Sequence, residues 1–479
     1  MKVPLRLVLV LLAVLGVGAL FLYSERRPGL FANTTYIAAI LMIEIVLACL
    51  WQFQKVFFPV TMGCFLLAAT GLPLAGESFT VRWLFLAVGA LVGFSIWMRT
   101  NRAQHFGVFH LVALFCVLSA LASASASAAA TTGLLKALSL FLLFLYASTG
   151  GRLAVAGREA AFVRGMVKAC EIVVFLVAAS YLAGFNIFGN PNNMGAFVGV
   201  VATPVLLWAA LIAEDHAERR RRYMALALCG ILLYVSVCRA AIVADVIIMV
   251  GLTIALRRPR LLIRAVFIGA LFLEIMAVAN PSHMTELMDS FSGRFIFKLD
   301  GRPSNQGVFG SRQTPWDDTI AAVKQHPWFG TGFGTSDVGP ETGLHGSSIY
   351  TLEGTNREHG SSYLAMAEYM GMLGILPFLF LLVLLVRSAS QVYRWMRGAS
   401  SPFHYAVPFA LITVAGLIHA AFEDWLFAAG SYLCVFFWVS AFLLIDLSEE
   451  TSPNARMPIN APIGSFAAAS GFSRSPTSV

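Results

Sequence analysis

Long apolar runs recur along almost the whole of this chain, each bounded by a few polar or basic residues, and that recurrence decides what it can fold into. A helix of about twenty apolar residues crosses the hydrocarbon layer, where the backbone must satisfy its own N–H and C=O groups. Of the 479 residues, 58% are hydrophobic and only 12% are charged. Because an ordinary soluble domain is about a quarter charged, a water-soluble fold is excluded, and the high apolar share excludes intrinsic disorder. The formal surplus of +8 sits in short clusters between apolar runs. That layout belongs to membrane topology and not to nucleic-acid binding. The seven cysteines lie in or at the ends of apolar runs, without disulfide or zinc-ligand spacing.

Scanning for such runs predicts an all-α polytopic membrane protein of about fourteen transmembrane helices, with twelve to fourteen plausible. They fall near Pro4–Tyr23, Tyr36–Trp51, Val56–Leu72, Val81–Trp97, Phe106–Ala122, Leu134–Ser148, Val167–Phe185 and Gly195–Ala213. The others fall near Tyr223–Cys238, Ala240–Leu256, Leu262–Ala279, Ser362–Val386, Tyr405–Phe422 and Phe427–Ile445. Lys2 and Arg6 ahead of the first run resemble a signal peptide, but no small-residue cleavage site follows, so a retained helix is expected. The chain divides into N-terminal helices over 1–188, a core over 189–386 and C-terminal helices over 387–446. The core holds the longest loop, 280–359, and the Ser- and Pro-rich tail 447–479 is expected to be disordered and cytoplasmic.

Orientation follows from the basic clusters, because Lys and Arg are retained on the cytoplasmic side. Arg219, Arg220, Arg221 and Arg222 form one cluster; Arg257, Arg258, Arg260 and Arg264 form the next. The apolar stretch between them is too long for one span, so a hairpin with Arg239 at its outer turn is expected. The same alternation puts Arg99, Arg102, Arg152, Arg158, Arg164, Arg387, Arg394 and Arg397 inside, and the long loop outside; only Arg26 and Arg27 fall on the wrong side.

Polar residues that a bilayer would reject mark sites of chemistry, and this topology sends three groups of them outward. Asn190, Pro191, Asn192 and Asn193 precede a span and read as a helix start, Asn being a strong N-cap. Arg239 stands alone beside Cys238, Ala240 and Ala241, and two readings remain open: a side chain snorkelling to the interface, or one facing a cavity that small neighbours allow. In the loop, Thr314-Pro315-Trp316-Asp317-Asp318 predicts a helix start, with Thr314 as cap and Trp316, Ile320 and Val323 on one face. Arg312 just before it makes an anion site there, unless it is merely solvated. Gly330-Thr331-Gly332-Phe333-Gly334 has neither the strand nor the helix of a phosphate-binding loop, so backbone freedom is its expected meaning. His359 closes the loop and is the candidate general base; His326 and His345 are weaker. No metal site or cofactor is expected, since the acids and histidines lack ligand spacing.

These pieces together resemble the bacterial O-antigen ligase and polymerase superfamily of polytopic membrane glycosyltransferases. The resemblance runs from about Gly189 to Gly374 and rests on five pieces. They are Asn190-Pro191-Asn192, Cys238-Arg239-Ala240, Arg312 followed by Trp316, His326-Pro327-Trp328-Phe329-Gly330-Thr331-Gly332, and His359-Gly360-Ser361-Ser362-Tyr363-Leu364 running into Met370-Gly371-Met372-Leu373-Gly374. It implies a GT-C-like fold and a donor glycan carried on undecaprenyl pyrophosphate. It also implies a glycan or lipid-linked acceptor, and a place beside a chain-length regulator and a flippase in the bacterial inner membrane. By the same resemblance Arg239 and Arg312 hold the pyrophosphate and His359 assists the acceptor hydroxyl, while Asn190, Asn192 and Trp316 are candidate substrate contacts. The family commonly has Ser where Cys238 stands and Asn where Gly360 stands.

The chemistry expected is attack of an acceptor hydroxyl on the anomeric carbon with inversion, a neutral His359 taking the proton and two arginines replacing a divalent metal. Polymerisation of O-antigen, capsule or exopolysaccharide is favoured over ligation, because nothing marks a lipid A–core acceptor. The alternative from another class is a lipid-linked glycan flippase or other transporter, for which Glu44, Glu171 and Asp245 inside spans would speak.

Overall fold

The computed structural model describes residues 45–47, 49–72, 75–99, 106–260, 310–335 and 359–449, with isolated positions at 263, 267 and 274. Every regular element among them is helical. In chain order they are α1 (Phe53–Ala68), α2 (Ala75–Arg99), α3 (Val108–Ser125), α4 (Ala130–Val155), α5 (Glu159–Leu182), α6 (Pro191–Ile212) and α7 (His216–Ser236). There follow α8 (Arg239–Ala255), α9 (Gly310–Gln325), α10 (Ser362–Gly374), α11 (Leu376–Ala399), α12 (Ala406–Ala420) and α13 (Tyr432–Glu449).

The apolar runs that lie within the described residues are helical. Among the described residues five helices are long and apolar enough to cross a membrane: α3, α4, α6, α11, and α2 from Ser78. A sixth results if the bent pair Ile45–Trp51 and Phe53–Ala68 is one span. The expectation of fourteen counted apolar runs, and a run says nothing of where a helix breaks. The run expected as Ser362–Val386 is two helices, and α12 and α13 are short and enclosed by their neighbours. The runs at Pro4–Tyr23 and Leu262–Ala279, Glu44, most of the long loop and the tail from 450 lie outside the described residues.

The layers follow from which helices are apolar all round. α6, α12 and α13 are buried along nearly their whole lengths, with Trp208, Phe409, Phe437, Trp438 and Phe442 almost fully enclosed. The outer helices instead keep a bare apolar face: Leu91, Leu111, Leu118, Ile172, Leu176 and Val383 are each about half exposed or more. Such a belt is stable against lipid tails and not against water. α7 and α8 follow one another with Val237 and Cys238 alone between them, but both pack mainly on other helices and neither is among the helices long and apolar enough to cross; the Arg219–Arg222 cluster lies at the far end of α7, and Arg257 and Arg258 just beyond α8.

Several polar groups inside the bundle are counter-charged. Arg152, expected in a cytoplasmic loop, is instead buried at the end of α4: its guanidinium grips the Asp446 carboxylate of α13 and lies 2.9 Å from the His110 ring. Glu171 of α5 pairs with Arg221 at 3.0 Å and lies 3.9 Å from Arg222, which removes one of the transporter-like charges. Asp245 of α8 is buried, and its carboxylate has no hydrogen-bond partner among the described residues.

The element that most shapes the site is the break in α10. At Gly371 the backbone takes φ 60° and ψ −174°, a region open essentially to glycine. In an unbroken helix the N–H groups of Met372 and Leu373 would bond the carbonyls of Glu368 and Tyr369. Here they donate to Pro327 O and Trp328 O at 2.8 and 3.2 Å, while Glu368 O and Tyr369 O accept from the N–H groups of Thr331 and Gly332 at 2.9 and 3.2 Å. Helix and loop have exchanged partners, and each of these donors and acceptors stays paired. Two amides of the Gly330–Gly334 loop, those of Thr331 and Gly332, are therefore spent on a helix. Ser119 and Ser123 of α3 add hydrogen bonds to Gly374 O and Tyr369 O, and Ser127 reaches Thr335, so the Ser/Ala-rich stretch has a packing role.

A methyl group at Gly371 would lie 2.4 Å from the Trp328 carbonyl carbon. Gly371→Ala is expected to destabilise the protein by about 2 kcal/mol or more, read as a drop in thermal unfolding midpoint in detergent. Gly165→Ala on α5, with open space around it, is the control and should be neutral or stabilising.

Candidate functional site

His359 is 1% exposed and sits between two carboxylates. Its Nδ1 is 2.7 Å from Asp424 Oδ2, and its Nε2 is 3.4 Å from Glu368 Oε2. The Tyr369 ring packs edge-on against the imidazole with centroids 5.0 Å apart. Asp424 and Glu423 come from the connection between α12 and α13, and one hydroxyl anchors them. Ser362 Oγ donates to Glu423 O at 2.7 Å and accepts from the N–H groups of Trp425 and Leu426 at 3.0 and 3.1 Å. The Ser in the His359-Gly360-Ser361-Ser362 run thus ties the start of α10 to the segment that carries both acids.

Arg312 forms an ion pair with Glu423. It lies in the first turn of α9 and not ahead of it: the helix begins at Gly310, so Thr314 is not its cap and Pro315 stands inside it. Proline there removes one backbone donor without ending the helix, and Thr319 Oγ1 returns to Pro315 O at 2.6 Å. The buried face of α9 runs through Thr319 and Ala322 with Trp316 and Val323 half-buried beside them, and of the three residues expected on one face only Ile320, 41% exposed, departs from it. Trp316 Nε1 donates to Gly360 O at 3.2 Å. Gly360 has φ +65°, and a Cβ there would be 3.1 Å from Arg312 Cδ. Among residues with a side chain Asn tolerates this left-handed conformation best, and glycine meets it without strain.

Arg239 is the first residue of α8, half-buried, and within electrostatic reach of Arg312. The turn before it is strained: Val237, a β-branched residue, has φ 52°, a conformation that costs about 1–2 kcal/mol. Cys238 occupies the N-cap without a side-chain cap hydrogen bond, its Sγ 3.7 Å from His419 Nε2. On its other side the His419 ring accepts from Trp425 Nε1 at 2.8 Å. Arg239, Arg312, Trp316 and His359 therefore meet at one end of the bundle. Asn190 and Asn192 sit at the start of α6, where the Asn190 side chain caps the helix by accepting from Asn192 N at 2.9 Å.

Four charged groups of this cluster escaped the sequence reading. Glu423 and Asp424 form an acidic pair in a short connection between two apolar runs, and Glu368 is a carboxyl within an apolar run; both signals were available. Lys136 of α4 also enters: its ammonium donates to Gly334 O and senses the charge of Asp424.

Burial alone would lower the His359 pKa, but the hydrogen bonds and charges of Asp424 and Glu368 outweigh it and raise it from 6.5 to about 9. At neutral pH the ring is an imidazolium, whereas the sequence reading needed it neutral to take a proton. Since the folded value lies above the unfolded one, this pairing stabilises the fold fully below about pH 6.5 and loses its contribution as pH rises through about 9. Among the described residues no three His, Cys, Asp or Glu side chains are placed to share a metal ion.

A multi-pass helical membrane protein with a charged cluster at one end of its bundle is the class that fold and site define. Residues 224–379, about a third of the chain, match the family model described as O-antigen ligase. The matched stretch includes Arg239, Arg312, Trp316, His359 and Glu368, but not Asn190, Asn192, Glu423 or Asp424. No curated protein matches the chain.

Solid-state NMR of protein labelled with 15N-histidine should show one imidazole titrating with a midpoint near pH 9. Asp424→Asn removes the strongest partner and is expected to lower that midpoint; an unchanged titration would show that the carboxylates do not control the ring.

Proposed function

We propose that the protein transfers a glycan from an undecaprenyl pyrophosphate-linked donor to an acceptor sugar hydroxyl at the periplasmic face of the bacterial inner membrane, in polymerisation or ligation of a cell-surface polysaccharide. The observation that carries this reading is the pairing of His359 with Asp424 beside the Arg312–Glu423 pair, in and next to the stretch shared with the O-antigen ligase family. A lipid-linked donor suits a site at the edge of a bundle with an apolar outer belt, since it arrives through the membrane and brings its own leaving group. A GT-C-like arrangement of helices is part of the same proposal.

Arg239 and Arg312 are the pyrophosphate clamp. The charge that grows on the leaving group is stabilised by two guanidiniums that cannot deprotonate, the task a divalent metal performs elsewhere. Glu423 holds Arg312 until the pyrophosphate competes for it. The acceptor oxygen bonds to the anomeric carbon from the side opposite the pyrophosphate, the bond from that carbon to the phosphate oxygen breaks, and the configuration inverts. The acceptor proton passes to the His359–Asp424 pair, entering through Asp424, whose side chain is 24% exposed against 1% for His359. The imidazolium orients that carboxylate. Asn190, Asn192 and Trp316 contribute sugar contacts.

Purified protein in nanodiscs, given an undecaprenyl pyrophosphate-linked repeat unit, is expected to release undecaprenyl pyrophosphate. It should yield a ladder of longer glycans if it polymerises, or one transfer to another acceptor if it ligates. Folded Arg239→Ala, Arg312→Ala and His359→Ala variants should each lose about 100-fold or more in rate. Activity should persist in EDTA; a strict Mg²⁺ requirement would remove the arginine clamp from the mechanism.

A further inference from the structure

Arg82 of α2 is buried to 6% exposure and, among the described residues, has no counter-charge such as the buried Arg152 and Arg222 possess. Arg152 has Asp446, and Arg222 has Glu218 with Glu171 behind it. Arg82 makes no hydrogen bond or ion pair with any described residue, and its Nε is enclosed without a partner. What surrounds it is aromatic: the guanidinium carbon lies 3.8 Å from the Phe79 ring centroid, 5.4 Å from Trp83 and 5.7 Å from Phe65. Ring faces attract a cation, but they leave the in-plane N–H donors unused, and a desolvated guanidinium without an anion is costly.

Of its three nitrogens only Nε is among the fully enclosed atoms without a partner, and a glycine stands beside Nη2. Gly430 faces it, and a Cβ there would lie 3.3 Å from Arg82 Nη2 and 3.4 Å from the Trp83 ring. Gly430 does not have a positive φ, so backbone geometry does not demand glycine there. The close approach to Arg82 does. Gly430 belongs to the same α12–α13 connection as Glu423 and Asp424, so Arg82 stands at the site end of the bundle, on the side of the acceptor base. Tyr432, two residues on, bonds Asn193 O at 2.7 Å, bringing the start of α6 with Asn190 and Asn192 to the same side.

We propose that Arg82 is the cationic end of a second anion subsite, which takes the phosphate of a lipid-linked acceptor while Arg239 and Arg312 take that of the donor. The inference rests on the glycosyl-transfer reading and deepens it, because it makes the acceptor a phosphate-bearing amphiphile held at the membrane boundary. The planar fork of arginine suits a phosphate oxygen pair.

The test varies the acceptor at saturating donor, with a prenyl pyrophosphate-linked oligosaccharide in one arm and the same oligosaccharide as a methyl glycoside in the other. Arg82→Gln is expected to raise the KM of the phosphate-bearing acceptor about tenfold, with a far smaller change in donor KM and none of that penalty with the methyl glycoside. Gly430→Ala, which crowds the Nη2 edge and keeps the charge, should raise the same KM several-fold, and it decides the matter if Arg82→Gln fails to fold. Equal losses with both acceptors, or unchanged KM in both variants, overturn the subsite. So does inorganic pyrophosphate that binds Arg82 as tightly as the lipid-linked form, since the site would then be one for free phosphate. A wild-type protein that transfers nothing from a lipid-linked donor sinks the glycosyl-transfer reading itself, whereas an active wild type without the KM split sinks only the acceptor subsite.

Discussion

A backbone in apolar surroundings has no water to fall back on, so a helix can break there only where something else takes up its orphaned donors and acceptors. In this protein the break at Gly371 meets that condition by trade: the loop 327–332 supplies carbonyls to Met372 and Leu373 and amides to Glu368 and Tyr369. The loop is thereby locked to α10, and α9 ahead of it is held where Arg312 and Trp316 meet Gly360. The start of α10 in turn fixes the α12–α13 connection through Ser362. One exchange of backbone partners thus holds three chain segments in register around His359.

The second constraint is charge. Placed between Asp424 and Glu368, His359 gains a counter-ion on each ring nitrogen, and Arg312 is held by Glu423. A cation so partnered is oriented and ready for an incoming anion, at the expense of a competition that anion must win. Arg82 stands apart, with aromatic rings on its faces and no acid beside it among the described residues. Arg152, by contrast, holds the bundle together through Asp446.

Much of the site was legible before any coordinates. Arg239 at an expected hairpin turn, Arg312 near a loop helix and His359 at a span boundary were found because ionisable residues are rare in apolar sequence and each stood out from its neighbours. Their partners were not found. Glu423 and Asp424 follow His359 by more than sixty residues, and no spacing rule links them. The helix start at Thr314 was misjudged because capping residues inside a longer helix look the same in sequence as those at its end. That the Gly330–Gly334 loop pairs with the broken α10 was invisible in the sequence.

Hydropathy is a property of each segment by itself, so the sequence alone determined that the chain is helical, membrane-bound and interrupted where its apolar runs stop, and it determined which few charges are out of place. Pairing is a property of two segments at once. Only the tertiary structure decided that His359 lies between two carboxylates, that Arg152 is a buried strut and that Arg82 meets no acid among the described residues, because each of those facts depends on which distant backbone comes within hydrogen-bonding reach.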